Sequence, residues 1–165
     1  MLSAETAAGK YPIEVIRSMV RTIGSVEKSG NIFYKFRDID PKSPNYFNDS
    51  LILTACKLAQ EVKAKAIVGM TQMGYVAFKA SSHRPDANIF AFTSNDTILN
   101  TMNLVWATKA YHYDKAASTD ETISDVEKIL KRDGHVTTGD IFIILASMPI
   151  QARGRSNMIK VHVVS

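Results

Sequence analysis

The first strong pattern along the chain is a set of apolar residues at helical spacing between positions 11 and 26. Its members recur every three or four positions, as one face of an amphipathic helix does, and they are Ile13, Ile16, Val20 and Ile23. Pro12 fits the first turn of such a helix, where its missing N–H removes no hydrogen bond. The polar residues 29–43, which include Gly30 and Pro41, predict a connection.

The helical period returns in two later segments. Residues 48–63 keep an apolar face, and Asn48 or Asp49 is expected to cap this helix. A shorter helix is expected at 95–104, with Ser94 as its cap.

The clearest helical signal covers residues 119–132. Ser118 and Glu121 have the capping-box spacing at its start, and Gly134 follows its end, where a left-handed residue terminates many helices. Another short helix is expected at 74–81.

Short apolar segments between the helices predict five strands, at 66–70, 88–92, 105–113, 141–146 and 158–164. Strands that alternate with helices are typical of an α/β fold with a mostly parallel sheet. Right-handed crossovers place the helices on both faces of such a sheet. We therefore predict a mostly parallel five-stranded sheet with helices on both faces and the last strand antiparallel at an edge.

The last predicted strand alternates apolar and polar side chains. Ile159, Val161 and Val163 fall on one face, and Lys160 and His162 fall on the other. This pattern is typical of a half-buried antiparallel strand. An edge strand offers unpaired N–H and C=O groups, so the three apolar residues are candidates for a contact between two copies of the chain.

Composition places the chain among ordinary globular domains, with 165 residues, 45% hydrophobic and 22% charged. The net charge of +4 raises the question of a nucleic-acid partner. The basic residues are scattered, however, and the densest group, Lys128, Lys131 and Arg132, closes a predicted helix, where cations suit the helix dipole. A solvated surface is therefore favoured over nucleic-acid binding, and the charge also suits a small phosphorylated ligand.

Cys56 is the only cysteine, so neither an internal disulfide nor a cysteine-rich metal site is possible within the chain. It falls in the apolar phase of a predicted helix and is expected in the core. The longest apolar runs, such as 141–146, are far shorter than the roughly 20 residues of a membrane span. The first residues do not have the pattern of a secretory signal. These features favour a cytoplasmic protein without a membrane partner.

Sequence motifs offer no convincing catalytic or metal centre. Gly9 and Lys10 lack the other P-loop positions, because Ala4 and Tyr11 stand where the motif needs Gly and Ser or Thr. The four histidines are isolated from one another, and no acidic pair is placed to hold magnesium. The sequence has no Gly-x-Ser-x-Gly nucleophile elbow, but it does not exclude a Ser-His-Asp triad whose residues meet only in the folded chain.

The segment 71–74 links a predicted strand to a predicted helix. Ligands of open α/β sheets bind at the carboxyl ends of the strands, and backbone N–H groups at a helix start can bind an anion. The other interpretation is an ordinary turn that uses Gly74 for its backbone freedom.

The segment 2–12, LSAETAAGKYP, closely resembles the pyruvate kinase signature that ends the eighth barrel strand and opens the eighth barrel helix. Ala4 stands where that family usually has glycine. Further similarities follow in order at 71–74, 83–85, 88–93, 104–106, 139–140 and 157–163. Each similarity is weak alone, but together they cover essentially the whole chain and are highly specific.

The resemblance implies three parts. Residues 1–28 are the last strand–helix piece of a TIM barrel, 29–46 are a connection, and 47–165 are a C-terminal α/β regulatory domain. A complete barrel takes about 250 residues, so the family's catalytic residues and its magnesium and potassium ligands lie outside this chain. The parent enzyme transfers a phosphoryl group from phosphoenolpyruvate to ADP, and the fragment alone is expected to be inactive and without cofactors.

The resemblance also locates an effector pocket. Its candidate residues are Thr71, Gln72, Gly74, Tyr75, Lys79, Arg153 and Arg155. Met73 and Val76 replace two serines that bind a phosphate of fructose 1,6-bisphosphate in family members with that activator. Each lost charge-assisted hydrogen bond costs about 1.5–3 kcal/mol. We therefore expect an anionic effector site without its usual ligand.

The expected partners are a second copy of the chain, in a homodimer or tetramer, and the barrel domain. The alternative is a free-standing binding or dimerisation module with the same fold.

Overall fold

The computed structural model describes residues 1–115, 118–148 and 154–165. It divides into two compact units, Met1–Phe33 and Tyr34–Ser165. Among the described residues, no helix is long and apolar enough to cross a membrane.

The first unit contains helix α1 (Ala4–Ala7) and helix α2 (Pro12–Lys28). Pro12 lies in the first turn of α2, which confirms the predicted helix and extends it by two residues at its end. The apolar stripe of α2 lies in the open, with exposed fractions between 48% and 65% at Ile13, Ile16, Val20 and Ile23. The segment that resembles the end of a barrel strand contains the short helix α1.

In its described residues, the second unit contains four helices and five strands. In chain order these are α3 (Tyr46–Glu61), β1 (Ala66–Met70), α4 (Tyr75–Ser82), β2 (Asn88–Thr93), α5 (Asp96–Met102), β3 (Thr108–His112), α6 (Thr119–Arg132), β4 (Ile141–Ala146) and β5 (Met158–Val163). The strand order is β3-β2-β1-β4-β5. All neighbours are parallel except β4 and β5, which are antiparallel. The predicted fold class is confirmed.

The core lies on both sides of this sheet. Alternate strand residues such as Ile67 and Ile143 pack against α3, α4 and α5 on one face, where the buried Cys56 also lies. Their neighbours Val68 and Phe142 pack against α6 on the other face. Burial raises the pKa of the Cys56 thiol to about 12, as expected for a core residue.

Two of the predicted helix caps are wrong. Helix α3 begins at Tyr46, so Asn48 and Asp49 lie inside its first turn and are buried. Helix α5 is capped by Asn95, whose side chain accepts from the Thr97 N–H.

The predicted capping box of α6 is confirmed, with Ser118 and Glu121 bonded reciprocally. Gly134 follows the helix in the left-handed region at φ +73°, as predicted.

Strand β5 is antiparallel and lies at a sheet edge, as predicted, but the alternation did not predict which face is covered. Val161 and Val163 are 42% and 58% exposed, although Ile159 on the same face packs against the core. The other face carries His162, whose Nε2 lies 2.6 Å from Oε2 of the buried Glu127 on α6. Helix α6 therefore covers the polar face of β5.

Candidate functional site

A cavity of about 580 Å³ opens at the carboxyl ends of the parallel strands, and we call it the loop cavity. Met70 and Phe92, at the ends of β1 and β2, form its apolar base. The turn that enters α4, the segment after β3 and residues 154–156 form its walls. Residues 149–153, which precede this last wall, lie outside the described part of the chain.

The turn after β1 is fixed by neighbouring elements. The Thr71 N–H donates to the Phe92 carbonyl at 3.0 Å and extends the β1–β2 ladder. Gln72 accepts twice: its Oε1 from the Ser94 hydroxyl at 3.2 Å and its carbonyl from Nδ2 of Asn95 at 3.3 Å. Asn95 therefore caps α5 and also holds the wall of the cavity.

Gly74 precedes α4 with φ at +73°, a conformation that side chains other than glycine rarely adopt. A Cβ atom at this position would lie 2.9 Å from Cε of Met102, so the space is also closed. Gly74 thus shapes the turn but does not line the cavity.

Tyr75 and Lys79 both contact Asp49, which is only 4% exposed. The Tyr75 hydroxyl donates to Oδ1 of Asp49 at 2.6 Å, and Nζ of Lys79 lies 2.9 Å from Oδ2. Burial, together with the Asp49 carboxylate, raises the pKa of Tyr75 to about 12. Tyr75 lines the loop cavity, whereas the Lys79 ammonium is held at α3 and does not.

Arg155 stands at the mouth of the cavity. Its guanidinium donates to the Pro44 carbonyl at 2.6 Å, which connects the late loop to the segment before α3. The side chain is exposed, and its charge lowers the pKa of Tyr75 slightly against the larger effects of burial and Asp49. The cavity therefore has a cation beside an aromatic wall.

The opposite wall follows β3 and contains Asp114 and Lys115. Nζ of Lys115 lies 2.7 Å from Oδ2 of Asp125, so part of its charge is neutralised. Asn48 lines the cavity from α3 and is 7% exposed, and its Oδ1 has no hydrogen-bond partner within the described part of the chain. The side-chain amide of Asn48 has an acceptor oxygen and a donor NH₂ group, so it can hydrogen-bond to a polar ligand.

Four of the seven predicted pocket residues line the cavity: Thr71, Gln72, Tyr75 and Arg155. Gly74 and Lys79 do not, and Arg153 lies outside the described residues. Met73 and Val76, which stand where the resembling family has serines, both line the cavity. Val76 is 4% exposed, and Met73 is 71% exposed.

Sequence reasoning missed several residues that line the cavity. Asp114 and Lys115 follow the carboxyl end of a parallel strand, so the rule that located 71–74 would have found them as well. Asn48 gave no such signal, because it reaches the cavity from a helix interior.

Chemically, the described lining of the cavity combines an apolar base with the cations Arg155 and Lys115 and the carboxylate of Asp114. This set can hold an anionic group but has no paired acid and base. Within the described residues, no group of three or more His, Cys, Asp or Glu side chains could hold a metal ion.

Solved structures share this fold over the entire chain. A pyruvate kinase from Cryptosporidium parvum superposes with a TM-score of 0.83 and 23% identity, covering 100% of this chain and 33% of that one. A second structure of pyruvate kinase from the same organism gives a TM-score of 0.78 at 21% identity. At these identities the likeness establishes the fold.

Sequence comparison establishes the family. The sequence model described as "Pyruvate kinase, alpha/beta domain" matches residues 49–162. The chain belongs to this family.

Two relatives illustrate how far the similarity extends. A pyruvate kinase of Clostridium acetobutylicum is 33% identical over 99% of this chain and 35% of its own length. One of Geobacillus stearothermophilus is 31% identical over 100% of this chain and 28% of its own length. The chain thus spans about a third of the curated relatives that it matches.

Proposed function

We propose that this chain is the regulatory and subunit-contact part of a cytoplasmic pyruvate kinase. The observation that carries the proposal is the loop cavity, where the 71–75 turn and Arg155 meet at the carboxyl ends of the strands. Ligands of open α/β sheets bind at this edge. In the parent enzyme, a ligand here would act on the barrel through the domain contact.

Phosphoryl transfer from phosphoenolpyruvate to ADP is then the activity of the longer parent enzyme. We propose that magnesium and potassium are held by the barrel of that enzyme. We propose that the fragment is inactive alone, with the barrel domain and another copy as partners and neither nucleic acid nor a membrane.

The ligand of the loop cavity is proposed to be a small anion other than fructose 1,6-bisphosphate. Val76 is buried and has no hydroxyl to offer, and Met73 places an exposed thioether at the turn. Two missing charge-assisted bonds at about 1.5–3 kcal/mol each would weaken a phosphate at this turn by several powers of ten. Arg155 and Lys115 leave the opposite side of the cavity suited to an anion.

Calorimetry with a panel of phosphorylated and carboxylated metabolites tests this site. Arg155→Gln should weaken any anion that binds by about tenfold or more, because a charge-assisted hydrogen bond is lost. Arg21→Gln on α2 is the matched control and should bind as the unaltered chain does. Micromolar binding of fructose 1,6-bisphosphate, or equal binding by the Arg155 variant, would contradict the proposal.

The subunit contact is proposed to be the free edge of β5. The Val164 N–H points towards β4, because it donates to the carbonyl of Asp140, the residue before β4. Backbone N–H groups alternate in direction along an antiparallel strand, so those of residues 159, 161 and 163 point away from β4. Val161 and Val163 are also exposed. A two-fold axis beside β5 would pair the strand with its own copy.

Val161→Pro is a selective test of that contact. The substitution removes an outward N–H and leaves the β4–β5 ladder intact, as proline at a strand edge does. We expect the unaltered chain to dimerise and the variant to be monomeric with the same circular dichroism. A monomer at high micromolar concentration in light scattering would refute the contact.

A free-standing module is the second candidate function. It predicts the same ligand and dimer, but no stable binding to a separately expressed pyruvate kinase barrel. A pull-down of that kind distinguishes the two candidates.

A further inference from the structure

A second, smaller pocket of about 310 Å³ runs along α4, and we call it the α4 pocket. Its helical wall consists of residues spaced three or four apart, which share one face of the helix: Tyr75, Phe78, Lys79, Ser82 and His83. The facing wall is residues 37–39 of the segment before α3. Tyr75 lines both this pocket and the loop cavity.

His83 is the unusual member of this wall. Its side chain is buried, at 1% exposure, and neither Nδ1 nor Nε2 has a hydrogen-bond partner among the residues that the structure describes. A neutral imidazole has one donor and one acceptor to satisfy. Roughly nine in ten buried polar groups in proteins are paired. His83 therefore has hydrogen-bonding capacity that a ligand can use.

The charges around His83 are mostly positive. Burial, then Lys79, Arg37 and Lys57 lower the pKa of the ring, and the Asp49 carboxylate opposes them. Lys79 is already paired with Asp49 at 2.9 Å. Arg37 is exposed and forms no ion pair with any described residue.

Among the described residues that line the pocket, Asp38 is the one carboxylate, and Asp49, which contacts Lys79 and Tyr75, lies next to this lining. Asp38 is exposed to water, where screening weakens its repulsion of an anion. Phe78 and Ile39 add apolar surface. The walls thus provide a cation, Arg37, for an anionic group and an apolar surface for the hydrophobic part of a ligand.

We propose that the α4 pocket binds a small organic carboxylate, held by the Arg37 guanidinium and by a His83 ring that takes up one proton from solvent. The protonated ring has two N–H donors and no acceptor, which suits a carboxylate. The hydrophobic body of the ligand packs against Phe78 and Ile39. This pocket shares only the Tyr75 wall with the loop cavity among its described lining residues, and the proposal does not depend on the function proposed for that cavity.

Benzoate is the probe, and neutral benzamide of nearly the same shape is its control. The His83 ring is followed by NMR during pH titrations of the unaltered chain at constant ionic strength. Benzoate should raise the apparent pKa of His83 by about one unit or more, because an adjacent negative charge favours the protonated ring. Benzamide should leave it unchanged.

Variants then assign the residues. Arg37→Gln should weaken benzoate binding at least about tenfold, through loss of a charge-assisted hydrogen bond. His83→Phe should fold, since it keeps a ring in an apolar site, and should abolish the proton uptake that calorimetry in buffers of different ionisation enthalpy detects. Arg21→Gln on α2, which lines neither pocket, is the control and should bind benzoate as the unaltered chain does.

Three results would overturn the proposal: unchanged His83 resonances with benzoate, the same response to benzamide or chloride, or undiminished binding by Arg37→Gln. If His83→Phe fails to fold, the NMR titration of the unaltered chain and the Arg37→Gln variant still test whether the pocket binds a carboxylate.

Discussion

Asp49→Asn removes a buried charge that joins two helices beside the loop cavity. Asp49 on α3 is 4% exposed and accepts from the Tyr75 hydroxyl at 2.6 Å and from the Lys79 ammonium at 2.9 Å. Asparagine keeps the shape and one acceptor oxygen. The substitution therefore isolates the contribution of the negative charge.

The size of the effect follows from the two contacts. A hydrogen bond to a charged group contributes about 1.5–3 kcal/mol and a neutral one about 0.5–1.5 kcal/mol, so the Tyr75 contact loses about 1–1.5 kcal/mol. The Lys79 side chain is 33% exposed and regains water. Its pair therefore contributes less, about 0.5–1 kcal/mol. The free energy of unfolding should fall by about 1.5–2.5 kcal/mol, and Tm by roughly 3–10 °C.

Urea unfolding followed by the fluorescence of Trp106, which lies in the second unit, measures this change. Tyr75→Phe and the double variant complete a cycle, with an expected coupling free energy of about 1–2 kcal/mol. Asp38→Asn is the matched control: it is exposed, forms no ion pair with a described residue, and should stay within about 0.5 kcal/mol. Strict additivity of the two substitutions would show that Asp49 does not hold Tyr75 in the cavity wall.

The remaining predictions concern activity, pH and the first unit. The chain alone should show no turnover that requires phosphoenolpyruvate and ADP in a coupled assay, and a rate proportional to pure chain would contradict this. Burial and Asp49 raise the pKa of Tyr75 to about 12, so the stabilisation that its neutral hydroxyl provides is present below about pH 10 and is lost as the pH rises towards 12. Urea unfolding should therefore show a free energy of unfolding that falls between pH 10 and 12, and this fall should be smaller in the Tyr75→Phe variant. The amides of α2 should exchange with deuterium faster than those of β1 in a dilute solution, since the stripe of α2 is exposed; equal protection would mean that α2 has a partner.

The elements that local patterns define were predictable. Strands β1 and β4 begin and end where the sequence predicted, because each is a short apolar run whose alternate residues face α3 to α5 or α6. Helix α6 also has its predicted limits, since the capping box and Gly134 are local signals. Such signals need only the residues next to them.

The residues that hold the candidate site were harder to predict because their partners are distant in sequence. Asp49 has the residue type of a helix cap, yet its carboxylate is used by Tyr75, 26 positions later. Asn95 caps α5 as Ser94 was expected to do, and it also binds the carbonyl of Gln72. The type of residue was informative in both cases, but the contact was decided by tertiary packing.

Strand β5 shows how the exposure of side chains at a sheet edge bears on the subunit contact. Alternation alone assigns the apolar face of a strand to the core, but at a sheet edge the covered face depends on how far the neighbouring helices reach. Helix α6 reaches His162 through Glu127, whereas on the opposite face Val161 and Val163 remain 42% and 58% exposed. These two valines lie beside outward N–H groups, and the face of the edge that they form has neither a charge nor a proline, which usually prevent pairing between chains. The sequence named these valines as candidates for a contact between copies, and the proposed dimer requires the exposure that they have.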